Sequence, residues 1–79
     1  MKAKNLKVHV KEDGRDKVKL TMPIFSVTIL DTIMPESVKS KISTVDIKEI
    51  IERVKAEEFR PQTLFELEDG AKSYKVWIE

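Results

Sequence analysis

Ile24-Phe25-Ser26-Val27-Thr28-Ile29-Leu30-Asp31-Thr32-Ile33-Met34 is the stretch on which the fold turns. β-Branched residues dominate it, which favours a strand. Its apolar positions, however, fall at 25, 29, 33 and at 27, 30, 34, two adjacent rows of a helix. Pro23 in front is tolerated in a first helical turn, and Pro35 behind it ends one. Eleven residues is also long for a strand in so small a domain. The stretch therefore reads as a helix, nearly all of it buried, with Phe25, Ile29 and Ile33 in the core. A strand here, paired with a hairpin, would overturn the architecture that follows.

Downstream, Pro35-Glu36-Ser37-Val38-Lys39-Ser40-Lys41-Ile42 reads as a short helix starting at the proline, with Val38 and Ile42 inward. Residues 46–58 give the clearest helix. Asp46 is the expected N-cap, because its carboxylate can accept from the orphan N–H groups of the first turn. Glu49 lies at the capping-box position, and Val45 and Ile50 at those of a hydrophobic staple. Ile47, Ile50, Ile51 and Val54 form one apolar face. Lys48, Glu49, Glu52, Arg53 and Lys55 form a charged back, with Glu49–Arg53 and Glu52–Lys55 spaced for weak surface pairs. That back reads as a solvated face.

The flanks read as hairpins. Leu6, Val8 and Val10 alternate with Lys7, His9 and Lys11, and Val18, Leu20 and Met22 with Lys17, Lys19 and Thr21. Gly14 lies in the turn between them, free to take positive φ. After the connector at 59–62, residues 63–68 make a third strand. Asp69-Gly70 signals a second hairpin turn inside a loop ending near Lys72. In the last strand Tyr74, Val76 and Ile78 share one face, and Trp77 lies on the other. The fold predicted is α+β, a four-stranded antiparallel sheet of two hairpins flanking two to three helices packed on one face. Its core is Leu6, Val8, Val10, Val18, Leu20, Met22, Phe25, Ile29, Ile33, Ile47, Ile50, Ile51, Val54, Phe65, Leu67, Tyr74, Val76 and Ile78.

Composition narrows the function. Residues 1–79 make one small domain, and 41% hydrophobic content with two Gly and three Pro is that of a globular chain. With no Cys there is neither a disulfide framework nor thiolate chemistry. A net charge of +1 argues against a dedicated nucleic-acid binder. No run reaches the length of a membrane span, the first residues do not read as a signal peptide, and the cytoplasm is the expected compartment. Charge is uneven. Residues 2–19 hold seven Lys/Arg against three Asp/Glu, whereas residues 44–79 hold six against nine. Complementary ends are expected to lie side by side.

Met22-Pro23-Ile24-Phe25-Ser26-Val27, Met34-Pro35-Glu36, Val45-Asp46-Ile47-Lys48-Glu49-Ile50-Ile51, Glu66-Leu67-Glu68-Asp69-Gly70 and Val76-Trp77-Ile78-Glu79 together resemble a small uncharacterised bacterial domain. It is a ββ-helices-ββ unit often met beside short SHOCT-like helical segments. The resemblance covers nearly the whole chain, and its motifs are structural. It implies that the Pro-initiated stretch is helical. It brings no activity, ligand or functional residue, and the SHOCT-like segment itself is absent here.

No catalytic, cofactor-binding or metal-binding residue is predicted, and the chain is not expected to be an enzyme. His9 is the sole histidine, between Lys7 and Lys11 on the polar face of its strand, and without Cys only carboxylates remain to complete a metal site. Glu66 and Glu68 read as cross-sheet partners for Lys7, Lys11, Lys17 or Lys19. Those four lysines are the candidate nucleic-acid contacts, the alternative function, with Trp77 alone available for base stacking. The favoured expectation is a protein-interaction or self-association module. A core this small without disulfides gains from oligomerisation, and a two-fold homodimer is expected. Residues 24–34 carry more apolar side chains than one helix face hides. The expected interface is accordingly Ile24, Phe25, Val27, Leu30 and Met34, with Trp77 as a second patch on the opposite face.

Overall fold

The computed structural model describes residues 2–34, 36–40 and 42–79, with the backbone alone for Ser37, Val38 and Thr44. Strands β1 (Asn5–Glu12) and β2 (Arg15–Pro23) form the first hairpin. A 3-10 segment (Ile24–Ile29) runs into the short helix α1 (Leu30–Ile33), followed by α2 (Glu36–Lys39) and α3 (Thr44–Ala56). Strands β3 (Gln62–Asp69) and β4 (Lys72–Ile78) close the chain. The sheet order is β2-β1-β4-β3, antiparallel throughout. The expected α+β architecture is therefore present, with the helical segments over the apolar face of a four-stranded sheet.

Both hairpins turn on two residues. Asp13 (φ 53°) and Gly14 (φ 77°) both take the left-handed conformation, as a type I′ turn requires. Gly70 (φ 61°) leads the second turn with Ala71, and Asp69 pairs directly with Lys72, so the loop is tighter than expected. The two turns touch, the Asp13 N–H donating to the Ala71 carbonyl at 3.0 Å. The complementary chain ends do lie together: β1 pairs with β4 at the centre of the sheet, and Lys4 and Asn5 donate to the Glu79 carbonyl at 2.8 and 2.9 Å.

Residues 24–34 are helical, but the buried row is not the expected one. Val27, Leu30 and Met34 are buried, while Phe25 is 65% and Ile29 44% exposed. The reason is the period. In a 3-10 helix residues three apart eclipse one another, so 24, 27 and 30 form one row. That row enters the core, with Ile24 partly buried at its head, and α1 extends it to Met34. Phe25 is turned out, and its carbonyl accepts from the Thr28 hydroxyl at 2.7 Å. Leu20 is a further correction at 40% exposed, because it lies on the edge strand β2. Phe65, Leu67, Val18, Met22 and Ile33 are half-buried against the core. The core gains Ala3 and Leu64. Leu64 is the extra residue where the β3–β4 register shifts between Thr63 and Phe65, and such a bulge sends two successive side chains toward one side.

Helix α3 starts earlier than expected. Its N-cap is Ser43, whose hydroxyl accepts from the Asp46 N–H at 3.1 Å, so Asp46 stands at the third helical position and is not the cap. The staple positions move with it to Ile42, half-buried against the core, and Ile47, inside it, and Val45 is 65% exposed. Arg53 donates to the Leu64 carbonyl at 3.3 Å and ties α3 to the β3 bulge; no Glu49–Arg53 ion pair forms among the described residues. The expected start of the preceding helix at Pro35 and the inward position of Val38 lie outside the described residues.

Candidate functional site

With the helices over one face, the other face of the sheet is open, and strand parity determines what stands on it. Cross-strand pairing aligns Thr21, Lys7, Trp77 and Thr63 in one row and Lys19, His9, Lys75 and Glu66 in the next. A third row holds Asp16, Lys11, Ser73 and Glu68. Trp77 thus lies where alternation placed it, opposite in face to Tyr74, Val76 and Ile78. It is half-buried, because neighbours pack over it. The His9 ring meets the indole edge-on at 4.6 Å between centroids, and the Lys75 ammonium stands 5.1 Å from the indole centroid. Both contacts follow from the electron-rich face and electron-poor edge of an aromatic ring. The side chains around Trp77 leave a shallow depression of about 310 Å³, with Lys11, Ser73, Glu66 and Glu68 on its walls.

The four candidate lysines are largely engaged within their own hairpin. Lys7 donates to the Thr21 hydroxyl at 2.9 Å and lies 3.7 Å from a Glu79 carboxylate oxygen. Lys17 reaches Glu12 at 3.9 Å, and Lys19 reaches Asp16 at 3.0 Å. The hydrogen bond from Lys19 holds the Asp16 carboxyl below the ordinary aspartate value of 3.8; desolvation opposes it, and the charges of Lys19, Lys11 and His9 add to the lowering. Glu66 and Glu68 are not the partners of Lys7, Lys17 or Lys19. Strand order carries them to the far edge, where Glu66 stands opposite Lys75. The sheet face is therefore polar in a literal sense, basic at the β2 edge and acidic at the β3 edge.

The residues expected to form an interface are dispersed. Val27, Leu30 and Met34 belong to the core, Ile24 is partly buried, and Phe25 is open to solvent on the helical side. Trp77 is on the other face of the sheet. Ile29, Val45 and Leu20 are exposed as well, although periodicity placed Ile29 and Leu20 in the core and Val45 in a staple. Sequence reasoning placed Lys75 on the face of Trp77 but gave neither it nor His9 a role beside the indole. Parity offers a signal for Lys75, two residues from Trp77 on the same face, whereas His9, directly across from Lys75, is placed by the strand register. Among the described residues no three of His, Cys, Asp or Glu converge as a metal site would need, and no helix is long and apolar enough to cross a membrane.

No curated protein and no solved structure matches the chain. Residues 4–79 match one family, whose description names no activity, ligand or partner. Since the match spans both hairpins and everything between them, the chain belongs to the family of YvlB-like protein C-terminal domains.

Proposed function

We propose that this domain is a non-catalytic interaction module that binds polypeptide, a second copy of itself first of all. The observation that carries the reading is Phe25, 65% exposed, with Ile29 four residues on at 44%. Single exposed apolar residues are ordinary on protein surfaces. Here two large ones come from one short segment whose other side is anchored in the core by Val27 and Leu30, so they are held rigidly and lose little entropy on contact. Two-fold symmetry lets Phe25 bury against its own copy, which makes a homodimer the simplest assembly. Phe25→Glu tests the assignment. It leaves far-UV circular dichroism unchanged and weakens association of the chain. Association as tight as in the unmodified protein contradicts the patch.

A specific observation also favours a second reading, nucleic-acid binding through the open sheet face. Trp77 stands between Lys7 and Lys75 with the His9 ring against it, an aromatic flanked by cations. Weighing against it, Glu66 and Glu68 share that face, and Lys7, Lys17 and Lys19 already have acidic neighbours. A salt-dependent mobility shift of labelled single-stranded DNA or RNA, lost in Trp77→Ala, would favour this reading over the first.

A further inference from the structure

The two edges of the sheet are complementary to each other. Strand β2 is one edge and β3 the other. With four strands alternating in direction, the edges run antiparallel, so a β3 edge laid beside the β2 edge of another copy continues the antiparallel pattern. The rows of the sheet then say which residues meet. Through β1 and β4, Phe65 is in line with Leu20, Glu66 with Lys19, and Leu67 with Val18. On the helical face the contact joins Phe65 to Leu20 and Leu67 to Val18, all four only partly covered within one chain. On the open face it sets Glu66 against Lys19.

We infer that copies of this chain associate head to tail, the β3 edge of one pairing with the β2 edge of the next. This is a second surface, separate from Phe25 and Ile29, and it depends on the self-association reading only in that the partner is again this chain. Lysines on an edge strand commonly block pairing between edges. Here they block one arrangement and favour another. Two β2 edges would bring lysines together, whereas a β3 edge brings glutamates. Lys19 already meets Asp16, but that pair is exposed and weak, so sharing the ammonium with Glu66 costs little. The register shifts at Val10/Lys11 and Thr63/Phe65 bracket the regular rows and limit the contact to these three. A head-to-tail contact repeats until the sheet twist closes it or leaves it open, so its product is a ring or a growing chain.

The test is a charge swap read by sedimentation of the full chain. Lys19→Glu and Glu66→Lys each place like charges across the contact and lower the association constant about tenfold. Mixing the two variants, or combining the changes in one chain, restores it. Within one chain the two positions are three strand spacings apart, about 14 Å, so rescue reports a contact between chains. Association that neither swap weakens, or that mixing fails to restore, overturns edge pairing. If in that case Phe25→Glu abolishes association, the interaction module stands without the edges. A constant monomer mass overturns both. Far-UV circular dichroism of each variant checks folding, and Lys19→Asp with Glu66→Arg gives a second swap in the same row should either first variant fail to fold.

Discussion

Glu58 and Phe59 hold φ at 57° and 58°, two consecutive residues in the left-handed region with a side chain on each. They are there because α3 ends in a Schellman motif. The Phe59 N–H reaches back to the Val54 carbonyl at 2.9 Å and the Glu58 N–H to the Lys55 carbonyl at 3.0 Å. The strain is repaid by position: the Phe59 carbonyl accepts from the Ala3 N–H at 2.8 Å, which fastens the start of the chain beneath the helix end. No glycine marks this cap, and its place is consequently illegible in the sequence. The left-handed conformation costs a non-glycine residue about 1–2 kcal/mol. Glu58→Gly is therefore expected to stabilise the domain by about 1 kcal/mol, after the larger entropy glycine brings to the unfolded chain, and to raise Tm by about 4–8 °C in calorimetry. Asp16 gives a second prediction at this scale. Its carboxyl titrates below 3.8 because Lys19 stabilises the charged form. A depressed folded-state value means that its contribution to stability is present above about pH 4 and fades as pH falls through that value. Proton NMR of the Asp16 side chain is expected to show the depressed midpoint, and Lys19→Met to raise it.

At the scale of elements, α3 and the 24–34 stretch show what a sequence pattern carries and what it leaves out. The apolar face Ile47, Ile50, Ile51, Val54 is legible because four side chains repeat at 3.6 residues and all four are buried. The cap is ambiguous, since Ser43 and Asp46 are both good caps and lie three residues apart. Tertiary packing of Ile42 and Ile47 favours the earlier start. Ser43→Ala is expected to cost about 1 kcal/mol in urea unfolding, and Asp46→Ala less, through the helix dipole alone. In 24–34 the helical state is legible but the face is not. Seven of the eleven positions are apolar and they fill more than one row, so only the local period selects among them, and a 3-10 period selects 24, 27, 30. Leu30→Ala is then expected to cost about 2–5 kcal/mol, while Phe25→Ser stays within about 0.5 kcal/mol of the unmodified protein. Equal losses at the two positions would mean that the 3.6-residue row 25, 29, 33 is buried after all.

For the whole molecule, the sheet is legible through its two alternating hairpins, and the opposite charges of the two chain ends foretell that β1 and β4 adjoin. Its outer edges are not legible in the same way. That Glu66 and Lys19 end on opposite sides follows from strand order, which the alternation alone leaves open. Trp77 is placed by parity; its enclosure by His9 and Lys75 needs the register. The exposed area of 5129 Å² is near the roughly 4,900 Å² of an average 9.1 kDa monomer, so the chain is compact as a single copy. The association we propose is then a matter of placing Phe25, Ile29 and the open edges against a partner, and not of completing the core. Sedimentation equilibrium across a hundredfold range of concentration tests this most directly. The weight-average mass is predicted to rise with concentration above 9.1 kDa, and a mass constant at 9.1 kDa over the whole range would contradict it.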